Sequence, residues 1–102
     1  MYNKAYILTF DKGGFLEGYD YANFHNLLVT AKGIVNWWHH LECTYILIVN
    51  DEITAKNITD YVLTIMPKKK FFVCELVLRN HNGWLDPNAW EWINQQINNQ
   101  AS

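Results

Sequence analysis

Little in this chain can be cross-linked. Cysteine occurs twice, at Cys43 and Cys74, and the two make neither a disulfide framework nor a CxxC pair. Both read as small buried hydrophobes of a reducing compartment. Proline also occurs only twice and glycine five times in 102 residues, so no Pro- or Gly-rich linker divides the chain and a single domain over 1–102 is expected. Positive charge is scarce: eight Lys and Arg against ten Asp and Glu give a net charge of −2, which argues against strong non-specific binding to nucleic acid. No apolar run approaches the roughly 18 residues of a membrane span. The first residues lack the basic start and long apolar stretch of a signal peptide, so a cytoplasmic location without a membrane is the expectation. Gly13-Gly14 lacks the GxxxxGK spacing of a phosphate loop. What the chain has in plenty is apolar matter, with 50% hydrophobic and 16% aromatic residues. That excess excludes disorder and points to apolar surface beyond what one small core hides.

The order of elements follows from periodicity and punctuation. Ala5 to Phe10 is a β-rich run stopped by Asp11-Lys12-Gly13-Gly14. Tyr21, Phe24, Leu27 or Leu28, and Ala31 have helical spacing, with Asp20 as N-cap and Gly33 as the stop. Ile34 to His39 reads as a second strand, Leu41 to Cys43 as a tight connection, and Thr44 to Val49 as a third strand. Thr54 caps the next helix, with Ile53 and Ile58 placed as a hydrophobic staple and Tyr61, Val62, Ile65 and Met66 continuing the apolar face. Pro67 ends it, and Lys68 to Lys70 complement the helix C-terminus. Phe71 to Leu78 is a fourth strand. Asp86-Pro87 then opens a final helix to about Asn98, with Leu85 and Trp90 as its staple and a polar tail from Asn94 that is expected to fray.

Two β-α-β units joined by a hairpin make a ferredoxin-like βαββαβ core over about 4–79: an antiparallel α+β sheet with two helices on one face, plus an additional C-terminal helix over about 87–98. The first strand then lies between the third and the fourth. Thr44 to Val49 and Phe71 to Leu78 are apolar on both parities, so the second sheet face also needs a cover. In the fourth strand Phe72, Cys74, Leu76 and Leu78 are expected to face the two helices, and Phe71, Val73 and Val77 the other way. The C-terminal helix and a second subunit both suit that second face. A homodimer using both is the expectation, with Phe71, Val73, Val77, Trp84 and Trp92 at its interface.

Several stretches are similar to a known family. Tyr6-Ile7-Leu8-Thr9-Phe10-Asp11 resembles the first strand of the CRISPR-associated protein 2 family and its stand-alone SinR-type relatives, in which an aromatic-Asp pair ends that strand. Trp38 to Val49 resembles the SinR-type pattern of Trp, His, Leu, a small residue, Thr, an aromatic and a hydrophobic strand. Thr54-Ala55-Lys56-Asn57-Ile58 resembles the opening of their second helix, and Gly83-Trp84-Leu85 with Trp90-Glu91-Trp92-Ile93 a C-terminal signature of some relatives. The resemblance implies a ferredoxin-like fold, frequent dimerisation, a defence or mobile-element setting in phage or host, and in some members a metal-dependent nuclease centred on the Asp after the first strand, here Asp11. Nuclease-type members commonly carry a Gln-x-Ser-x-Phe-like stretch where this chain has Glu42-Cys43-Thr44-Tyr45-Ile46, so the SinR-type proteins, mostly without an assigned activity, are the nearer match.

Each candidate site has two readings. Asp11, paired with its symmetry equivalent, could hold Mg²⁺ or Mn²⁺ for hydrolysis of RNA or DNA, or could simply begin a turn before Lys-Gly-Gly. No cofactor is expected outside that nuclease reading. Alternation sends Trp37 and His39 to one face and Trp38 and His40 to the other, so the adjacent histidines cannot readily share a metal, and zinc would need His25 or His81 as well. Trp37 and His39, with Lys68, Lys69 and Lys70 for phosphates, could bind a nucleotide or nucleic acid. Packing, interface and solvated-loop roles stand beside it. Glu75 interrupts an apolar strand face, and a carboxylate buried there without a partner would be costly. The leading expectation is a non-enzymatic dimeric domain that binds a protein or nucleotide partner. A divalent-metal-dependent endonuclease is the alternative, and a small viral inhibitor of a defence system fits the size with no residue to support it.

Overall fold

The computed structural model describes residues 3–11, 21–66 and 69–100. The order is β1 (Asn3–Phe10), α1 (Tyr21–Val29), β2 (Ile34–Leu41), β3 (Thr44–Asn50), α2 (Ala55–Ile65), β4 (Phe71–Leu76) and α3 (Pro87–Gln100). The proposed caps and breakers at Lys12 to Asp20, Pro67 and Lys68 lie outside the described residues.

The four strands form one antiparallel sheet in the order β2-β3-β1-β4. This is the ferredoxin-like arrangement, with β1 between β3 and β4. β1 meets both neighbours without a break, Ala5 opposing Ile48 and Leu76, and Phe10 opposing Phe71. β2 instead shifts register between Ile34 and Asn36 and again between Trp38 and Leu41. A two-residue turn at Glu42-Cys43 joins β2 to β3, with Cys43 left-handed at φ 64°. At Gly33 φ is 95°, and a Cβ there would come within 3.0 Å of the Ile53 side chain, so glycine is the residue this bend requires.

One face of the sheet is closed by α1 and α2. Tyr6, Leu8, Phe10, Tyr45, Leu47 and Val49 pack there against Phe24 and Leu28 of α1 and Ile58 and Val62 of α2. The Thr54 hydroxyl accepts from the Asn57 N–H at 3.1 Å, and the Thr54 N–H donates to Asn57 Oδ1 at 2.9 Å, a reciprocal cap that begins α2 at the expected residue. The Tyr61 hydroxyl donates to the Leu27 carbonyl at 2.7 Å and ties α2 to α1.

The second face is covered by α3. Ala5, Trp38, Ile46 and Ile48 pack against Ala89 and Ile93, with Leu76, Leu85, Trp90, Trp92 and Ile97 around them. This explains why β3 is apolar on both parities: Tyr45 to Val49 are all buried. Asp86 opens α3 before Pro87, its carbonyl accepting from Ala89 at 3.0 Å. The polar end does not fray at Asn94, because Gln96 is buried and Ile97 packs on the sheet, and the helix runs to Gln100.

The facing expected for β4 is reversed. Phe71 and Val73 pack with the α1–α2 core, while Phe72 and Cys74 are exposed on the second face and Leu76 packs on the α3 side. The register with β1 dictates this: Phe71 opposes Phe10 and Val73 opposes Leu8, both of which point at the helices. Strand β4 also ends at Leu76, two residues short of the expected Leu78.

Candidate binding site

Three rows of side chains cross the second face. Asn36, Ile48, Ala5 and Leu76 form one, and Trp38, Ile46, Ile7 and Cys74 the next, in strand order β2-β3-β1-β4. Leu41, Thr44, Thr9 and Phe72 form the third. Burial falls across them. Ile48 and Ala5 are buried under α3, Ile7 is half-buried, and in the last row Leu41 is exposed and Phe72 is 62% exposed. The helix covers one end of the face and leaves the other open.

Between α3, the 76–85 segment and the open rows lies a groove of about 320 Å³. Its lining includes Ile7, Trp38, Leu41, Ile46, Val77 and Trp90, with Asn80, His81 and Asn82 at one side. None of the described residues lining it is a lysine, arginine or carboxylate. Val77 is 70% exposed at its edge, and beyond Leu41 a second depression holds His40, Leu85, Asp86 and the 96% exposed Trp84. Trp38 is 3% exposed, and its indole Nε1 is buried with no hydrogen-bond partner among the described residues. An indole N–H is a donor only, and leaving one unmade in a core costs roughly 1–3 kcal/mol. His81 stacks on Trp90 with ring centres 5.4 Å apart and donates from Nδ1 to the Leu78 carbonyl.

The other face carries a separate cluster. His39 lies flat on Tyr45, centres 4.0 Å apart and planes within 4°, and donates from Nδ1 to the Thr44 carbonyl at 2.9 Å. His25 of α1 is hydrogen-bonded to the Tyr45 hydroxyl at 2.7 Å and meets Trp37 edge-on. Burial, and then the neighbouring His39, lower the His25 pKa below the usual 6.5. Trp38 and His40 sit together on the second face, so alternation separates the two adjacent histidines as expected, His39 half-buried and His40 exposed. His25 does join His39, with ring centres 6.2 Å apart, but no group of three His, Cys, Asp or Glu that could hold a metal occurs among the described residues.

The residues considered for a nucleotide site are not brought together. Trp37 and His39 lie on β2, and Lys69 and Lys70 lead into β4 at the opposite edge of the sheet, three strand spacings or roughly 14 Å away. Lys69 is buried, not solvated, and is not presented to a phosphate; Lys70 is exposed; Lys68 lies outside the described residues. Asp11 is exposed just past β1, its N–H donating to the Lys70 carbonyl at 3.2 Å, beside an open depression of about 330 Å³ shared with Thr9, Lys70 and Phe72. Among the described residues lining that depression, Asp11 is the one carboxylate. Glu75 is exposed, which removes the concern over a buried charge. Trp92, expected at an interface, is part of α3 and packs from it against the second-face core, whereas Trp84 is free of the core.

Sequence reasoning did not single out Leu41, Phe72 or Ile7 for this face. The signal was present in the double-parity apolar pattern of β4, but it became readable only once the β1–β4 register was known. No family model, no curated protein and no solved structure matches this chain. No helix among the described residues is long and apolar enough to cross a membrane.

Proposed function

We propose that this chain is a non-catalytic binding domain that works as a homodimer, joined through β4 and the open rows of the second sheet face. The observation that carries the reading is the row Leu41, Thr44, Thr9 and Phe72, which α3 leaves uncovered, with Cys74 of the next row exposed beside Phe72. Strand β4 is a sheet edge in unbroken register with β1, and such an edge offers its outer N–H and C=O groups to another strand. The opposite edge, β2, is shifted at two places, which blunts it for pairing. A two-fold arrangement lets the same apolar patch cover itself, so a second copy is the fitting occupant. The resemblance to SinR-type proteins supports the same reading and carries with it the defence or mobile-element setting. Sedimentation at micromolar concentration tests it: wild type runs as a dimer and Phe72→Glu as a folded monomer. A monomeric wild type removes the proposal.

A second reading, a Mg²⁺- or Mn²⁺-dependent endonuclease, draws on the exposed position of Asp11 beside an open depression. Asp11 of a second copy would supply a further carboxylate for the ion. Cleavage of single- or double-stranded RNA or DNA by wild type with Mg²⁺ or Mn²⁺, lost in a folded Asp11→Asn variant, is its expected result. No cleavage by either protein leaves Asp11 a strand-end residue and the binding reading in place.

A further inference from the structure

We infer that the depression between the end of β2 and the start of α3 binds a small organic cation of the quaternary ammonium class, held on the face of the Trp84 indole. His40, Leu41, Trp84, Leu85 and Asp86 line this depression, whose volume is about 360 Å³. Trp84 is 96% exposed, and so large a fraction leaves both faces of its ring open to a ligand. His40 lies against Trp38 with ring centres 5.2 Å apart, which sets its imidazole on the second sheet face as the other aromatic wall. The site is therefore a shallow hollow with one bare indole, one imidazole and two leucines.

Charge selects the ligand. The described lining residues include one carboxylate, Asp86, and no lysine or arginine. The chain carries no Lys or Arg from 33 to 55 or from 80 to 102, the stretches that supply this lining, and their charged residues, Glu42, Asp51, Glu52, Asp86 and Glu91, are all acidic. A phosphate or carboxylate would find no counter-ion here, which disfavours a nucleotide. A cation is drawn both by the carboxylate and by the negative face of the indole ring. Among cations, a primary ammonium or a guanidinium brings several donors that need acceptors at fixed positions. A quaternary ammonium has no donor to satisfy, and its methyl groups suit Leu85 and the 49% exposed Leu41.

The inference goes beyond the homodimer and does not rest on it, because the depression is lined by one chain and its occupancy is read at Trp84 rather than by size. The test uses the whole chain labelled with ¹⁵N, with the Trp84 indole signal assigned by its loss in Trp84→Leu. The probes, at matched ionic strength, are choline and its uncharged carbon isostere, in which a tert-butyl group replaces the trimethylammonium. Choline is expected to move the Trp84 signal, and the isostere to move it far less at equal concentration. Trp84→Leu keeps the hollow apolar but removes the ring, and is expected to weaken choline about threefold, read at the Leu85 amide. Asp86→Asn keeps a helix-capping residue but removes the charge, and is expected to weaken choline about twofold and the isostere hardly at all. Both positions are exposed, so both variants are expected to fold. Acetylated trimethyl-lysine carries the same cation on a side chain: tighter binding than choline assigns the site to a modified side chain of a partner, and weaker binding to a free small molecule. Equal shifts by choline and its isostere, or a Trp84 signal that choline leaves in place, overturn the inference.

Discussion

Tyr45 is wholly buried, yet its hydroxyl meets a histidine and its ring carries another. Burial of His25 and the nearness of His39 both disfavour a charge on His25, so its pKa in the folded chain lies below 6.5. The consequence for stability has a definite sign. Well above pH 6.5 His25 is neutral in both states and adds nothing. As the pH falls through 6.5 the unfolded chain takes up the proton first, and stability drops until folded His25 protonates too. The urea midpoint of wild type is expected to fall between about pH 7.5 and about pH 5.5, and that of His25→Gln to fall less over the same span. Equal slopes would show that this histidine is charged as easily folded as unfolded. The cluster itself was half legible: alternation separates His39 from His40, but nothing local brings His25 of α1 over Tyr45 of β3, twenty residues away.

At the scale of elements, α2 was the most readable part of the chain. A Thr at the cap and isoleucines either side of it are local signals, and each is realised, while the reciprocal bond from Asn57 emerged only in the structure. Thr54→Ala removes the acceptor for the Asn57 N–H and is expected to cost about 1 kcal/mol, read as a lower urea midpoint with an unchanged slope. A change below a few tenths of that would mean water serves the cap equally well. The strands were readable as strands but not in their detail. The two register shifts in β2 have no signature in Ile34 to Leu41, because a bulge is decided by what the partner strand and the covering helix require. The persistence of α3 beyond Asn94 was hidden for a related reason. Asn94 to Gln100 is a polar stretch with weak helical preference, and packing of Ile93 and Ile97 on the sheet holds it in place.

For the molecule as a whole, the arrangement is three layers: α1 and α2, the sheet, and an incomplete layer made by α3. Neighbouring residues of β4 therefore have opposite fates. Val73→Glu puts a carboxylate into the α1–α2 core and is expected to lower stability by roughly 2 kcal/mol or more. Phe72→Glu changes a side chain exposed on the open face, and should leave the folded monomer within about 0.5 kcal/mol of wild type. Thermal unfolding beside sedimentation separates the two effects. Loss of stability in Phe72→Glu without a change in mass would mean that the open face is closed within one chain.

Composition and pattern by themselves determined the element order, the ferredoxin-like βαββαβ core, the extra helix and the need for a second cover, because these follow from periodicities and caps that neighbouring residues set among themselves. The tertiary structure decided which parity of β4 faces which layer, since a side-chain period of two makes either face equally legal until the register with β1 is fixed. It also decided that Trp37 and Lys70 lie at opposite edges of the sheet, and that α3 stops short of the row ending at Phe72. Those are distances between residues far apart in the chain, and only packing of the finished layers sets them.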